Sequence, residues 1–499
     1  MELPTRIISP KAVQLYVPPT AENRVLGYKK YDYLQSARHD LAFQLREEYK
    51  DVIYLAVNFP NFISKEIADM LFGQPPTIQV ESTKNNEKLQ MFIDDLISEN
   101  HFYQMLWESV YDNSALGDNL MTARVNDEGK VEITPLDAMS WSPTVSRLER
   151  HNITSHTFFY NFVTEEDGKA RVFVWKKEYL PGRIVNSAYE YIAGKPLIPV
   201  PMAMIDASIK EEEILEAKDP DGKDILLPTH IPNFKTPRSI YGVSDYRDWC
   251  DLIYEINNRL SQMGNILDIH SAPDTVVPDG TMDEVGNMRK STTAKNRGMI
   301  FEAPTVGGGV DLVKKLTWDA KLDNAFEEIK MLVEFLASVG ETDRETLAKG
   351  DNASPESGRA LRYKLRKLIA KAKRRAVVYE HAIQQILAKA CWLEGYNYVY
   401  PREIKVTANI DVPRDEQEEA ELVQTWINAG LMSKEDGVMR RMKGKPDEQI
   451  QAELKRIKGE EKESAGNNPF IKPFAKGEAK DEDEEEMDGK MMKGKKGNE

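Results

Sequence analysis

The chain has 499 residues, room for about two to four domains with a sizeable core, and its 41% hydrophobic and 30% charged content is ordinary for a soluble protein with a polar tail. A formal net charge of −15 argues against a protein that coats nucleic acid, while leaving room for one past which a duplex slides. No apolar run reaches the ~18 residues a membrane span needs, and the start, MELPTRIISPKAVQLYVPP, has no charged-then-apolar pattern, so neither insertion nor secretion is expected.

Residues 1–35 mix Pro, Lys and Tyr without a period and predict an extended arm. From Ser36 to Phe72 the pattern turns helical, first through Leu41, Leu45 and Tyr49. After Pro60 it continues through Phe62, Ile63, Ile67, Met70 and Leu71, and Gly73 stands where a helix stop belongs. QPPTIQVE predicts a short strand that its prolines keep out of a central sheet position. Residues 85–116 predict one further helix. The period then changes to two: LMTARV, KVEIT, HTFFYNFV, RVFVWKKEY and SAYEYI read as strands, with DEGK and EEDGK as turns between members. Residues 36–193 thus predict an α+β domain, and 194–240, studded with prolines, predict loop.

Three long helical patterns follow. The first, from Asp245 to His270, repeats Tyr246, Trp249, Ile253, Ile256, Leu260, Met263 and Leu267 at steps of three and four. The second, from Trp318 to Val339, repeats Trp318, Leu322, Phe326, Ile329, Val333 and Leu336. The third runs from Glu356 to Leu393. Its first half carries Arg359, Arg362, Lys364, Arg366, Lys367, Lys371, Lys373, Arg374 and Arg375 against Glu356 alone. Such a run reads as a solvated face, as phosphate contact, or as ion pairs to an adjacent subunit. Between the first two patterns lie strand-like runs, VVPDG, NRGMIFEAP and GGGVDLVKKL; between the second and third lies a polar loop. REIKVTANI then alternates as a strand. PRDEQEEAELVQTWINAGLMSKEDGVMRRM predicts two short helices, with Gly430 as a stop and Ser433 as the next N-cap, and PDEQIQAELKRIKGEEK predicts a further one. Beyond Gly459, DEDEEEMD and KMMKGKKGNE predict a disordered tail.

Catalytic patterns do not emerge. Gly307, Gly308 and Gly309 are not followed by Gly-Lys-Ser/Thr, so they read as a turn between strands and not a phosphate loop. His151 and His156 have no supporting acid or cysteine and read as structural or surface histidines. Cys250 and Cys391 fall in separate predicted helices and read as buried thiols of a reducing compartment. No cofactor is expected, and the sequence argues against an enzyme.

Four stretches in their order resemble a family. They are NFISKEIADMLFGQPPTIQVE; YGVSDYRDWCDLIYEINNRLSQMGNILDIHSAP, with its Gly-x-Ser-Asp lead-in and Asn-bearing middle; SPESGRALRYKLRKLIAKAKRR; and IDVPRDEQEEAELVQTWINAGLMSKED. Together, over about residues 36–458, they are similar to portal proteins of tailed double-stranded DNA bacteriophages, of the type in siphophages of Gram-positive hosts. The resemblance implies a mainly helical α+β portal fold assembled as a cyclic ring, usually of twelve subunits, at one capsid vertex of a virion whose parts are synthesised in the host bacterial cytoplasm. It implies a wing at 1–243, stem helices at 244–271 and 318–339, a clip at 272–317 and a tunnel loop at 340–357. The long helix and strand of 358–410 return to the wing; 411–458 form a crown, and 459–499 lie outside the pattern. Genomic double-stranded DNA would pass through the ring during packaging and ejection. The clip would meet the terminase and then the head-completion adaptor, with Met299, Phe301, Val310 and Leu312 as candidate contacts. Major capsid and scaffold proteins would be further partners. Lys321, Lys330, Arg344 and Lys349 are the candidate channel cations. Thr342, Asp343, Arg344, Lys349, Asp351 and Asn352 are the candidate tunnel-loop residues. Two rivals stay open: an internal scaffold or minor capsid protein, and a packaging ATPase or nuclease, which would need a phosphate loop or a clustered acidic metal site.

Overall fold

The computed structural model describes residues 15–18, 55–81, 86–149, 151–166, 169–271, 275–278, 300–303, 314–315, 322–342, 362–410, 416–441 and 451–457. The chain divides into two units, Met1–Pro413 and Arg414–Glu499.

In the first unit the Asn58 side chain accepts a hydrogen bond from the Asn61 amide at 3.1 Å and Pro60 occupies the first turn, which starts helix α1 (Phe59–Phe72). Strand β1 (Thr77–Val80) pairs antiparallel with β14 (Ile404–Thr407), Ile78 opposite Val406, in a two-stranded ribbon. The single helix expected over 85–116 is two, α2 (Asn86–Glu99) and α3 (Phe102–Leu116). Asn100 makes the break. Its amide nitrogen donates to the Leu96 carbonyl at 2.7 Å, its oxygen accepts from the Ile133 amide at 3.0 Å, and His101 turns left-handed at φ 49°.

Strand β2 (Asp118–Val125) is the middle of a three-stranded antiparallel sheet, between β3 (Val131–Leu136) and β10 (Thr229–Pro232). β10 falls in the stretch read as loop: four residues closed by a proline are too few to display a period. The larger sheet runs β4 (Trp141–Val145), β5 (Ile153–Glu166), β6 (Lys169–Leu180), β7 (Arg183–Tyr191), β8 (Ile198–Val200), and β9 (Glu212–Ile214) also pairs with β7. Of the expected N-terminal arm, residues 15–18 are described. Tyr16 exchanges two hydrogen bonds with the Asn161 side chain, at 3.0 and 3.1 Å, and sets its ring against Phe159 and Tyr191.

The three long helices are α4 (Cys250–Ser271), α5 (Leu322–Val339) and α6 (Arg366–Leu393). Between α4 and α5 the described strands β11 (Thr275–Pro278), β12 (Ile300–Ala303) and β13 (Lys314–Lys315) form a sheet of order β12-β11-β13, with β11 and β12 parallel. Helix α6 is the spine of the main core. Ala372, Ala376, Ala382 and Ala390 let neighbouring elements close on it, and Leu368, Ile383, Ile386 and Leu387 fill the space they leave. Each such large side chain, fully buried, contributes roughly 1.5–3 kcal/mol. A second, smaller core joins α1, α4 and α5 through Ile63, Trp249, Ile253, Ile256, Val333 and Leu336. The architecture is a mixed α+β fold. Both cysteines are buried thiols outside any disulfide, Cys391 in the main core and Cys250 in the smaller one.

The second unit holds α7 (Glu416–Asn428) and α8 (Lys434–Arg441). Gly430 turns between them at φ 69°, and the Ser433 hydroxyl accepts from the Asp436 amide at 3.0 Å, the stop and N-cap expected from sequence.

Candidate functional site

The three long helices meet at one buried cluster of charge, and the Gly-x-Ser-Asp lead-in to α4 builds it. Gly242 and Gly117 cross so closely that a Cβ on Gly242 would stand 1.8 Å from the Gly117 carbonyl oxygen, and Gly117 itself has φ 83°. That crossing brings Ser244 to the start of a 3₁₀ turn (Asp245–Asp248), where its hydroxyl accepts from the Tyr246 amide at 3.0 Å. Asp245 is thereby delivered to the buried face of α6. It accepts from Ser114 at 2.9 Å, from Asn233 at 2.9 Å and from Lys371 at 3.0 Å, and it pairs with Arg375.

Lys371 and Arg375 are one turn apart on the apolar side of α6, and their side chains are only 7% and 4% exposed. Burial alone would raise the Asp245 carboxyl; Arg375 and Lys371 outweigh it and hold it well below the usual carboxylate range. Burial pulls the Lys371 ammonium below the usual lysine range, against the opposing pull of Asp245. Lys371 also donates to the Gly340 carbonyl at 3.2 Å, so one ammonium ties the start of α4 and the end of α5 to α6. Two exposed contacts repeat the link: Arg374 to Glu341 at 2.5 Å and Lys367 to Ser338 at 3.3 Å. At the far side of the same helix pair Arg259 of α4 reaches Glu328 of α5 at 3.1 Å, so α4 and α5 run antiparallel. Asp245, Lys371, Arg374, Arg375 and Glu341 line a groove of about 830 Å³ with Phe234, Val339 and Val378.

The Asn-bearing middle of α4 has its own use. Asn257 accepts from the Val57 amide at 3.0 Å and Ser261 from the Leu55 amide at 2.9 Å, so an extended segment is hydrogen-bonded along the helix. Farther along α6, Lys389 donates to the carbonyls of Leu227 and Pro228 at 3.1 and 3.0 Å and to the Thr229 hydroxyl at 2.8 Å. Burial pushes its pKa down to about 7. Nearby, His156 accepts from the Trp141 indole at 3.0 Å, and burial, Lys389 and His230 push it down to about 3, so it is a neutral structural histidine.

Of the candidate channel cations, Lys330 is described: it is exposed on α5 and pairs with Glu327 at 2.7 Å. Lys321, Arg344 and Lys349 lie outside the described residues, as do Asp343, Asp351, Asn352, Met299, Val310 and Leu312. Phe301 is a residue of β12. Thr342 is buried, donates to the Glu66 carboxylate and closes the end of α5 with its amide on the Ala337 carbonyl at 3.0 Å. Sequence reading placed Asp245 in a motif without a role. The signal for Lys371 and Arg375 was their phase: they share the face of Leu368, Ala372 and Ala376, where a solvated cation does not belong.

Among the described residues no group of three or more His, Cys, Asp or Glu is placed to hold a metal, and no helix is long and apolar enough to cross a membrane. The fold and the junction define a structural class of protein, an α+β body in which an antiparallel helix pair is anchored by buried charge. The family model described as "Phage portal protein, SPP1 Gp6-like" matches residues 29–467. The chain belongs to that family of phage portal proteins. Solved structures that align with the chain include chains of gene transfer agent (GTA) particles. A chain of the "neck of empty GTA particle computed with C6 symmetry" aligns at TM-score 0.45 and 13% identity, over 78% of this chain and 90% of that one. A chain of the "virion of native gene transfer agent (GTA) particle" aligns at 0.41 and 12%, over 85% and 99%. A chain of the "neck of native GTA particle computed with C12 symmetry" aligns at 0.41 and 13%, over 75% and 86%. Comparison with curated proteins yields no match.

Proposed function

We propose that copies of this protein close into a ring at one capsid vertex and that genomic duplex DNA passes through its centre during packaging and ejection. The observation that carries the reading is the family match, which spans α1 through α8 and so includes the anchored helix pair. In this reading α4 and α5 are the staves of the channel, and the segment between them, with Met299, Phe301, Val310 and Leu312, meets the packaging motor and then the head-completion adaptor. The capsid shell surrounds the ring.

In this reading the one described candidate cation suits passage and not capture. Lys330 stands on the same surface as Glu327, so the wall it belongs to is mixed in sign and holds phosphates weakly. Lys321, Arg344 and Lys349, each repeated around an axis, would add rings of charge that touch phosphate without reading sequence. Because Thr342 is buried against Glu66, the candidate loop begins after it.

Two experiments test the reading. Negative-stain imaging of the purified full-length protein should show annular particles with a central hole; a monomer under conditions that preserve virions would refute it. Proheads built with a chain lacking residues 343–354 should assemble but fail to package or retain DNA, and normal packaging would remove the loop from the channel.

A further inference from the structure

The groove at the helix junction carries more positive charge than its own carboxylates offset. Two of its cations are balanced by neighbours that also line it: Arg247 pairs with Asp248 at 2.7 Å, and Arg374 with Glu341 at 2.5 Å. Lys371 and Arg375 share the single carboxylate of Asp245, so the buried cluster is left with a positive charge in excess. Lys235, exposed and also lining the groove, has no ionic partner among the described residues. An excess cation in a poorly solvated site is costly unless an anion comes to it. Arg375 shows where the shortfall falls. Its side chain is 4% exposed and its Nη2 is taken up by Asp245, yet Nη1, also buried, has no hydrogen-bond partner among the described residues. A buried guanidinium N–H without an acceptor is rare in a folded chain, and one that belongs to the lining of a groove can be completed by a ligand.

The groove itself narrows the ligand. Its volume of about 830 Å³ lies within the ~300–1,000 Å³ of small-ligand sites and far exceeds that of one inorganic ion. Phe234 and Val339 line it and are 59% and 46% exposed, so part of the wall is apolar and open. The ligand therefore joins an anion to an apolar group. Because Asp248 and Glu341 stand among the cations, a run of successive phosphates would meet repulsion that a lone carboxylate avoids. We propose that this groove binds a peptide presenting one carboxylate beside an apolar side chain, the carboxylate meeting Arg375 and Lys235 and the apolar side chain lying on Phe234 and Val339. The carboxylate supplies the acceptor that Nη1 lacks and the negative charge that Asp245 alone cannot provide. The site lies within one chain and does not depend on ring formation.

The probes are N-acetyl-L-phenylalanine, in which a carboxylate stands beside a ring, its uncharged amide, and inorganic phosphate. Each is titrated into the full-length protein by calorimetry at neutral pH and fixed ionic strength. The acid should bind at least about ten-fold tighter than the amide, the worth of one hydrogen bond to a charged group. Lys235→Gln, a change on an exposed side chain, should weaken the acid by up to about five-fold and leave the amide unchanged. Phe234→Ala should weaken both. Equal binding of acid and amide would overturn the carboxylate. Phosphate binding tighter than the acid would reassign the groove to a phosphate-bearing ligand and overturn the peptide, and no binding by any probe would overturn the site. Asp245→Asn gives an independent readout. A bound carboxylate replaces the charge this variant has lost, so the acid should raise the variant's urea midpoint more than that of wild type. An equal shift in the two proteins would refute the contact with Arg375.

Discussion

Asp245→Asn is the sharpest test of the helix junction. The substitution keeps shape and leaves one oxygen to accept from Ser114 or Asn233, but it removes the charge that Lys371 and Arg375 share. Two cations would then sit buried with no counter-charge at hydrogen-bond distance in the cluster. Removing one partner of a buried ion pair costs about 3–5 kcal/mol, and the retained acceptor places this case near the lower end. Trp249, four residues on and buried in the smaller core, reports the event by its fluorescence during urea unfolding. The pH dependence carries a signature of its own. The folded carboxyl is held below the ordinary range, so its contribution is fully present above the unfolded pKa near ~4 and is lost as pH falls toward the folded value. Wild type should therefore lose stability on acidification while Asp245→Asn loses less, and the two curves should converge. A gap under about 0.5 kcal/mol at neutral pH, or one that does not narrow down to pH ~3, would refute the account. Replacing the cluster as a whole, with Asp245→Leu, Lys371→Met and Arg375→Met together, should recover much of the loss, because the desolvation of the charges is removed with them.

Gly242→Ala should destabilise the first unit by at least about 1–3 kcal/mol, since its Cβ meets backbone and not a movable side chain, and a fold of unchanged urea midpoint would refute the crossing with Gly117. Lys389 has a folded pKa near 7 against an unfolded value near ~10.4, so the unfolded chain binds more protons between these limits and stability rises with pH across them. Lys389→Met should flatten that rise, measured by urea unfolding at pH ~7 and ~10, and an equal slope in both proteins would place the titration elsewhere.

The helices were legible where burial follows a strict period. Ile253, Ile256 and Met263 of α4, and Val333 and Leu336 of α5, are buried as their spacing requires. Local chemistry was legible too, in the Gly430 stop and the Ser433 cap. What sequence could not show was tertiary. The break at Asn100 depends on the Ile133 amide, 33 residues away, and β10 exists because Asp118 to Met121 offer it an edge. The basic run on α6 was ambiguous for the same reason. Phase alone separates Lys371 and Arg375 from Arg366 and Lys373, and only the position of Asp245, some 130 residues earlier in the chain, turns that phase into an ion cluster.

That cluster also bears on which elements can move apart. Moving the end of α5 away from α6 would strip Lys371 from the Gly340 carbonyl and Arg374 from Glu341, and it would leave a buried ammonium with a poorer set of acceptors. Breaking contacts to buried charge is costly. The side chain of Thr342 on Glu66 and its amide on Ala337 add two further ties at the end of α5. The starts of α4 and α6 and the end of α5 therefore move as one body.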